Sequence, residues 1–307
     1  MNGWSAAYAR LPGNMRGALW MVLSAISFTL MTMLIKYLGA DYSPALQAFY
    51  RQAAGLIVLA PIIIRDPIGS FRTTRPWILI FRSSAGVIGL ILSFYAYQEM
   101  PLADANALSF TRTLWMVPLA AFVLREKIGP VRVAATLVGF AGALIMIRPS
   151  GDHALSLPAL AALASAFLFS LTVTGMKVMT RDHAPIVLLV WAAALGFVFT
   201  LPPALAVWRW PAPADLALLA VMGVFGTITQ GAYIKGMQLG DAAVMTPVDY
   251  TRLIFAVALG FALFHETPSA VTMIGAAIII VSTLYITVRE ARENAALVEE
   301  EGLGERS

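Results

Sequence analysis

The chain has 307 residues, a formal net charge of +4 and no cysteine, and the lack of thiols excludes disulfides, thiolate metal sites and thiol nucleophiles. Hydrophobic residues make up 59% of the sequence and charged residues only 12%, with a mean hydropathy of +0.78. This balance excludes an ordinary soluble domain and indicates a polytopic membrane protein. The three histidines share no ligand spacing, so neither a metal nor another cofactor is expected.

Ten apolar runs follow one another along the chain. A helix needs about 20 apolar residues to cross a hydrocarbon core about 30 Å thick. The runs that reach this length are residues 18–38, 44–64, 77–97, 103–124, 130–147, 157–179, 185–207, 216–238, 242–264 and 270–288. Short connections rich in glycine, proline, serine and aspartate join them. The pattern predicts an all-α integral membrane protein with ten transmembrane helices.

The second half of the chain repeats the first. At a separation of 141 residues, Ser24, Phe28, Lys36 and Asp41 match Ser165, Phe169, Lys177 and Asp182. At 137 residues, Gly86 and Asp104 match Gly223 and Asp241, and at 140 residues Thr111, Arg112 and Glu126 match Thr251, Arg252 and Glu266. Each copy holds five spans, so the second copy must enter the membrane upside down relative to the first. We therefore expect two inverted five-helix repeats, an arrangement typical of secondary transporters.

The connections predict the orientation of the chain. We expect a cytoplasmic N-terminal segment at 1–16, the first repeat at 17–150, the second repeat at 155–288 and a cytoplasmic tail at 289–307. Basic residues concentrate on the side of the termini, whereas the opposite side holds Lys36, Arg148 and Arg209. The positive-inside rule then predicts that both termini are cytoplasmic, in the inner membrane of a bacterium. Because this bias explains the basic balance, no nucleic-acid partner is expected.

Four arginines fall in or near the predicted spans, where a charge is costly and usually functional. Arg82 is close to the end of its span and is expected to reach the membrane edge. Arg51 lies deeper and fits either a structural pair or a solute contact. Arg112 and Arg252 occupy equivalent positions in spans four and nine. Asp249, three residues before Arg252, either neutralises that arginine or is released from it by a solute, and both interpretations stay open.

Helical spacing places polar residues on one face of several spans. The stripes of spans four and nine are expected to face each other across a pseudo-two-fold axis, because polar residues at this depth must face protein or water. Aromatic side chains beside buried arginines suit a flat or amphipathic organic solute better than a bare ion. The expected solute-binding residues are Trp20, Ser27, Tyr97, Asn106, Ser109, Arg112, Phe169, Gln230, Tyr233, Asp249 and Arg252.

Three motifs resemble those of a known family. They are Met100-Pro-Leu-Ala-Asp-Ala105 before span four, Leu124-Arg-Glu126 after it, and the stretch from Gly240 to Leu253 with Glu266 beyond. On these motifs the chain resembles the EamA-type branch of the drug/metabolite transporter superfamily. The resemblance implies ten helices in two inverted halves, with spans one, three, four, six, eight and nine around a central cavity. Similar sequences usually carry a small residue and a proline after the Phe-Thr pair of span four, whereas this chain has Arg112 there, which changes the charge of the cavity.

The sequence thus predicts a secondary transporter that moves a small amphipathic organic metabolite by alternating access. An amino acid or a derivative such as S-adenosylmethionine is the preferred solute, because cationic and anionic groups converge on one site. A nucleoside, a flavin-like solute or drug efflux is the alternative, and a channel or an integral-membrane lipid enzyme is more remote. No catalytic residues are expected, since no carboxylate pair or His/Asp constellation lies near a span end. The direction of transport, proton coupling, and a monomeric or homodimeric state stay open.

The predicted orientation is testable with tags. Tags at either terminus or at Arg72, in the connection after span two, should be inaccessible from outside intact cells, whereas a tag near Asp152 should be reached. Labelling of the C-terminal tail from outside would contradict both the ten-span count and the inversion of the repeats.

Overall fold

A computed structural model describes residues 11–123, 125, 128–147, 156–179, 183 and 185–304. Every regular element within these ranges is an α-helix. The helices are α1 Gly13–Leu38, α2 Pro44–Arg65, α3 Pro67–Phe71, α4 Pro76–Glu99, α5 Leu102–Ser109, α6 Thr111–Val123, α7 Pro130–Ile147, α8 Leu157–Met179, α9 Pro185–Ala206, α10 Pro213–Leu239, α11 Ala242–Asp249, α12 Thr251–Phe264 and α13 Ala270–Gly304. The connection around Asp152 lies outside the described residues.

Proline sets where many of these helices begin. It is the first residue of α2, α3, α4, α7, α9 and α10. The first turn of a helix leaves backbone N–H groups without partners inside the helix, so a residue that lacks this group loses nothing there. At α2 the hydroxyl of Ser43 also accepts the Leu46 N–H at 3.3 Å. The starts of these helices are therefore determined locally.

Spans four and nine are not continuous helices, which corrects the sequence prediction. The stretch expected as one helix at 103–124 is divided into α5 and α6 at Phe110, and that at 242–264 is divided into α11 and α12 at Tyr250. The apolar pattern continues through both breaks, so it could not reveal them. Nine stretches of the described chain have the length and hydropathy of membrane spans, and α5 with α6 forms the tenth.

The two breaks have the same construction. At each, an aromatic residue keeps right-handed helical backbone angles, and the next residue is a threonine whose hydroxyl donates to the carbonyl three residues back. The bonds join Thr111 to Leu108 and Thr251 to Val248, each at 2.7 Å. They satisfy carbonyl oxygens next to each break. Pro247 precedes only the second break, so proline is not required to interrupt the helix.

The packing follows a two-fold relationship between the repeats. α1 packs along α10, and its repeat counterpart α8 packs along α4. α1 also contacts α11 and α12, while α8 contacts α5 and α6 in the same way. α2 packs on α9 and α7 packs on α13, each against its own counterpart. Because each repeat crosses the membrane five times, the two halves are inverted relative to each other.

One additional helical turn distinguishes the repeats. α4 has 24 residues and its counterpart α10 has 27. The separation between matched positions therefore changes from 137 residues, at Pro76 and Pro213, to 140 residues at the breaks. This displaces one sequence match, because Asp104 lies in the first turn of α5 whereas Asp241 is the N-cap residue of α11.

Glycines allow two counterpart helices to touch along their backbones. A Cβ added to Gly142 on α7 would lie 2.9 Å from the Gly275 carbonyl oxygen on α13, and one added to Gly275 would lie 2.7 Å from the Gly142 oxygen. Both approaches are too close, so one backbone would have to move. At Gly86 on α4, in contrast, the nearest atom would be the Thr172 hydroxyl at 3.6 Å, an ordinary contact.

We expect Gly142→Ala and Gly275→Ala each to lower the melting temperature of the purified protein, with a cost of about 1 to 3 kcal/mol, as for other overpacked sites. Gly86→Ala is the matched control and should leave stability unchanged or slightly raised, because alanine favours the helix over glycine. Equal losses at all three positions would contradict the assignment of a backbone contact to α7 and α13.

Candidate functional site at the two helix breaks

The two helix breaks meet each other. The rings of Phe110 and Tyr250 lie edge to face with their centroids 4.5 Å apart, and the two residues are 2% and 8% exposed. The Tyr250 hydroxyl also donates to the hydroxyl oxygen of Thr283 on α13. Irregular backbone within a membrane is tolerated only where protein or water covers it. The contact therefore protects both breaks at once.

Arg252, two residues after the second break, reaches across to the first repeat. Its Nη2 donates to the Ser109 hydroxyl on α5 at 2.9 Å, so the polar stripes of spans four and nine face each other at this point. Its Nη1 lies 3.9 Å from Asp249 Oδ2, with the two side chains 8% and 13% exposed. That distance is too long for a hydrogen bond. Asp249 thus offsets the charge of Arg252 while its oxygens keep the capacity to accept another donor.

Aromatic rings surround the Arg252 guanidinium. Its Cζ is 4.1 Å from the ring centroid of Phe110 and 4.9 Å from that of Phe28, and Phe28 in turn meets Tyr97 edge to face at 6.1 Å. Such cation–π contacts are stronger where water is excluded. Sequence reasoning missed both phenylalanines, although the repeat matches Phe28 with Phe169 and Phe110 directly precedes the Thr-Arg pair.

Two polar atoms of this cluster are buried without a hydrogen-bond partner among the described residues. They are Arg252 Nε and Asn106 Oδ1. The amide nitrogen of Asn106 is used inside its own helix, where it donates to the Leu102 carbonyl at 2.8 Å. Most buried polar groups in proteins are paired, and leaving one unpaired costs about 1 to 3 kcal/mol. Unused polar capacity of this kind is typical of a site that water or a solute completes.

Arg112 belongs to the same cluster but has a different environment. Its side chain is half-buried and makes no hydrogen bond or ion pair with any residue that the structure describes. Arg112 is the second residue of α6, two residues after Phe110, whose ring lies against the Arg252 guanidinium. The cluster therefore contains two guanidinium groups and one carboxylate, and only Arg252 has that carboxylate as a close neighbour.

The structure does not bring all the expected site residues together. Ser109, Asp249 and Arg252 meet directly, and Tyr97 packs against Phe28 beside them. Arg112 lies two residues after Phe110, and Asn106 lies one turn before Ser109. Trp20 instead lies beneath the Lys235 amino group, 5.4 Å from its ring centroid, near the start of α1. Gln230 is exposed on α10, Phe169 packs against α4, and Ser27 is buried at 3% exposure. A solute contact stays a prediction for every one of the expected site residues.

Arg82 does not reach the membrane edge, so that expectation was wrong. The residue is 6% exposed, its Nε donates to the Thr172 carbonyl on α8 at 3.1 Å, and its Nη1 is buried without a partner among the described residues. The matched position in the second repeat is Leu219, which is fully buried in the apolar core. The repeated fold therefore does not itself require an arginine at this place.

The structure contains two inverted five-helix repeats, and charged and aromatic side chains gather where the two broken spans meet. This is the architecture of a secondary transporter. The model of the EamA-like transporter family matches residues 15–148 and 156–288, with one match for each repeat. The chain belongs to this family, within the drug/metabolite transporter superfamily.

Named relatives cover nearly the whole chain. The chain is 29% identical to the S-adenosylmethionine uptake transporter of Rickettsia bellii, over 89% of this chain and 94% of the relative. It is also 29% identical to the riboflavin transporter of Rhizobium johnstonii, over 90% and 92%, and 25% identical to the pseudopaline exporter CntI of Pseudomonas aeruginosa, over 88% and 95%. A crystal structure shares the fold with a TM-score of 0.62 at 19% identity, over 90% of this chain and 97% of that chain. The protein is a multi-pass membrane transporter of a small organic metabolite.

The different environments of the two equivalent arginines can be tested directly. Arg252→Gln should lower the melting temperature, because it removes the Ser109 bond and two ring contacts and leaves Asp249 without its neutralising charge, a loss of about 1 to 3 kcal/mol. Arg112→Gln is the matched variant and should be neutral or stabilising, because no described residue pairs with it. Equal destabilisation by both substitutions would contradict this difference.

Proposed function

We propose that this transporter moves an amino acid or an amino-acid derivative, such as S-adenosylmethionine, and that Arg112 and Asp249 bind its two charged ends. The observation that carries the proposal is the cluster of Arg112, which has no counter-charge among the described residues, and Asp249, which accepts no hydrogen bond from them. A solute with one carboxylate and one cationic group complements both side chains. The relatives named as S-adenosylmethionine uptake transporters support this class of solute.

Arg112 is the proposed anchor for the solute carboxylate. A guanidinium binds a carboxylate through two parallel hydrogen bonds, which give both strength and orientation. The interaction is stronger in a site of low dielectric constant than in water. Because no described protein carboxylate competes for Arg112, a solute would supply the pairing that the fold itself does not.

Asp249 is the proposed contact for the cationic group of the solute. Its carboxylate is 13% exposed and 3.9 Å from the nearest Arg252 nitrogen, so a closer donor can displace that weak pairing. Arg252 has the Ser109 hydroxyl and two aromatic rings to hold its position meanwhile. Asp249 and Arg252 would then neutralise each other without solute and separate when solute binds. This combines the two interpretations that the sequence permits.

A flat aromatic solute, such as a flavin or a nucleoside, is the second candidate. The rings of Phe28, Tyr97 and Phe110 lie beside the charged cluster, and ring faces of this kind can stack on a heteroaromatic group. The relatives named as riboflavin transporters support this alternative. The two candidates differ in whether a carboxylate is required.

We further propose the setting in which transport takes place. The chain lies in the inner membrane of a bacterium with both termini in the cytoplasm, and the repeats at 17–150 and 155–288 lie between a segment at 1–16 and a tail at 289–307. The excess of basic residues on the side of the termini supports this orientation. The solute crosses without chemical change, in keeping with relatives that are named as transporters. Any proton coupling would act through Asp249, the protonatable carboxylate of the site.

Solute binding is testable by thermal unfolding of the purified protein with S-adenosylmethionine, free amino acids, nucleosides and riboflavin. A solute at about 100 times its Kd stabilises the native state by about 2.7 kcal/mol, which gives a measurable rise in melting temperature. We expect this rise with S-adenosylmethionine but not with its decarboxylated analogue, which lacks the group that Arg112 binds. A rise with riboflavin alone would favour the second candidate.

The same residues are testable by transport in proteoliposomes. Arg112→Gln should fold and lose most S-adenosylmethionine transport, and the double variant Asp249→Asn, Arg252→Gln should also fold without transporting. Arg209→Gln, which changes an exposed arginine outside the site, is the control and should transport normally. Normal transport by Arg112→Gln or by the double variant would show that these residues do not bind the solute.

A further inference from the structure

Arg82 is a buried cation whose charge is not balanced by any residue that the structure describes. Its side chain, on α4, is 6% exposed, and its Nε donates to the Thr172 carbonyl on α8 at 3.1 Å. Its Nη1 is buried without an acceptor, and no described carboxylate pairs with the guanidinium. The hydroxyl of the next residue, Ser83, is buried without a partner as well. A lone charge inside a membrane is costly and usually has a function.

An apolar cluster separates Arg82 from the nearer membrane surface. Leu79, one turn earlier on α4, packs with Met179 at the end of α8 and with Leu188 in the first turn of α9. These three side chains are 0%, 0% and 1% exposed. Arg82 therefore does not extend to the aqueous phase as a snorkelling arginine does, and its charge has to be balanced inside the protein.

The second repeat fills the equivalent place with apolar side chains. Arg82 corresponds to Leu219 on α10, and Gly175, which lies against the stem of Arg82, corresponds to Leu34 on α1. Leu219 and Leu34 are 0% and 7% exposed and belong to one apolar core. Because α4 packs on α8 as α10 packs on α1, two leucines satisfy this place without any charge. The first repeat thus carries a cation that the packing does not need.

Two glycines leave room close to the guanidinium. A Cβ added to Gly175 on α8 would lie 3.6 Å from Arg82 Cδ, and one added to Gly86 on α4 would lie 3.6 Å from the Thr172 hydroxyl oxygen. Both are ordinary contacts, so each helix has space for at least one more carbon atom. This space and the unpaired N–H group of Arg82 occur together between the same two helices.

This place is distinct from the cluster at the helix breaks. The Ser170 hydroxyl on α8 donates to the Arg112 carbonyl on α6 at 2.7 Å, whereas Arg82 bonds to the carbonyl of Thr172. Two residues rotate a helix by about 200° and advance it by about 3 Å. Arg82 and the backbone of Arg112 therefore contact α8 at nearly the same depth but on opposite sides.

We infer that Arg82 binds an oxyanion, a carboxylate or a phosphate, between α4 and α8. A planar guanidinium binds either group through two parallel hydrogen bonds, and Nη1 keeps a donor for it. The anion supplies the negative charge that the described residues lack, whereas water would satisfy the hydrogen bond alone. The oxyanion is either a free ion or the carboxylate of the transported solute. This site goes beyond the proposed function, because it does not depend on Arg112.

Thermal unfolding of the purified protein in a phospholipid-free detergent tests this site. Sodium acetate and sodium phosphate are each compared with sodium chloride at equal ionic strength. Arg112→Gln is the background, because it removes the carboxylate anchor proposed at the central site. We expect both oxyanions to give a saturable rise in melting temperature in this background. Adding Arg82→Leu should weaken the apparent affinity by about 10-fold or more, because hydrogen bonds to a charged group are lost.

Three variants of the same background serve as controls. Arg82→Leu with Gly175→Leu copies the leucine pair of the second repeat, so it should be at least as stable as the background without anions and should show only the general salt effect. Arg82→Lys keeps the charge but not the planar fork and should keep a weaker saturable response. Arg209→Gln changes an arginine that is 64% exposed and should respond as the background does.

S-adenosylmethionine, added in the same background, distinguishes the two sources of the oxyanion. A rise that requires Arg82 would assign the site to the carboxylate of the solute, whereas a rise with acetate or phosphate alone would assign it to a free ion. Either result supports the oxyanion site.

The opposing outcomes are equally definite. The absence of a saturable response in Arg112→Gln, or an equal response after Arg82→Leu is added, would overturn the inference. A lower melting temperature of the leucine pair without any anion response in the background would assign Arg82 a purely structural role, and would overturn it as well. Normal transport by Arg112→Gln would contradict the proposed solute contact but would leave the Arg82 site unaffected.

Discussion

The contact between the two helix breaks, Phe110 against Tyr250, is the constraint on which the rest of the structure depends. Backbone groups within a membrane must find partners inside the protein or in water. Each break satisfies one carbonyl through the following threonine, and the two breaks then cover each other. Because both breaks occur at the same repeat position, the symmetry that pairs the halves also creates the place where charged side chains can lie.

Departures from that symmetry give the site its chemistry. Arg112 and Arg252 are equivalent in the repeat, but the residue three positions before them is Ser109 in one half and Asp249 in the other. One arginine therefore has a neighbouring carboxylate and the other has none among the described residues. Arg82, opposite the apolar Leu219 of the second repeat, is a further departure that the fold alone does not require. The duplication provides the scaffold, and its unequal positions give the two arginines different electrostatic surroundings.

The broken spans also connect the site to the membrane surface. α5 is short and carries a contact at each end, with Glu266 at its first residue and Arg252 at its last. The eight residues of α5 thus join the Glu266 contact directly to the Arg252 contact.

The sequence by itself determined the all-helical membrane fold, the ten spans and their inverted duplication, because hydropathy, span length and repeated motifs are properties of neighbouring residues in one chain. It also placed Ser109, Arg112, Asp249 and Arg252 on matching stripes. Only the tertiary structure decided that spans four and nine are broken, since the apolar pattern continues through both breaks. It likewise decided that Phe28 and Phe110 enclose Arg252, that Arg82 is directed into the bundle, and that Trp20 lies with Lys235 instead of the central cluster. Each of these depends on which helix packs against which, and helical periodicity specifies the face of one helix but not the neighbour that meets it.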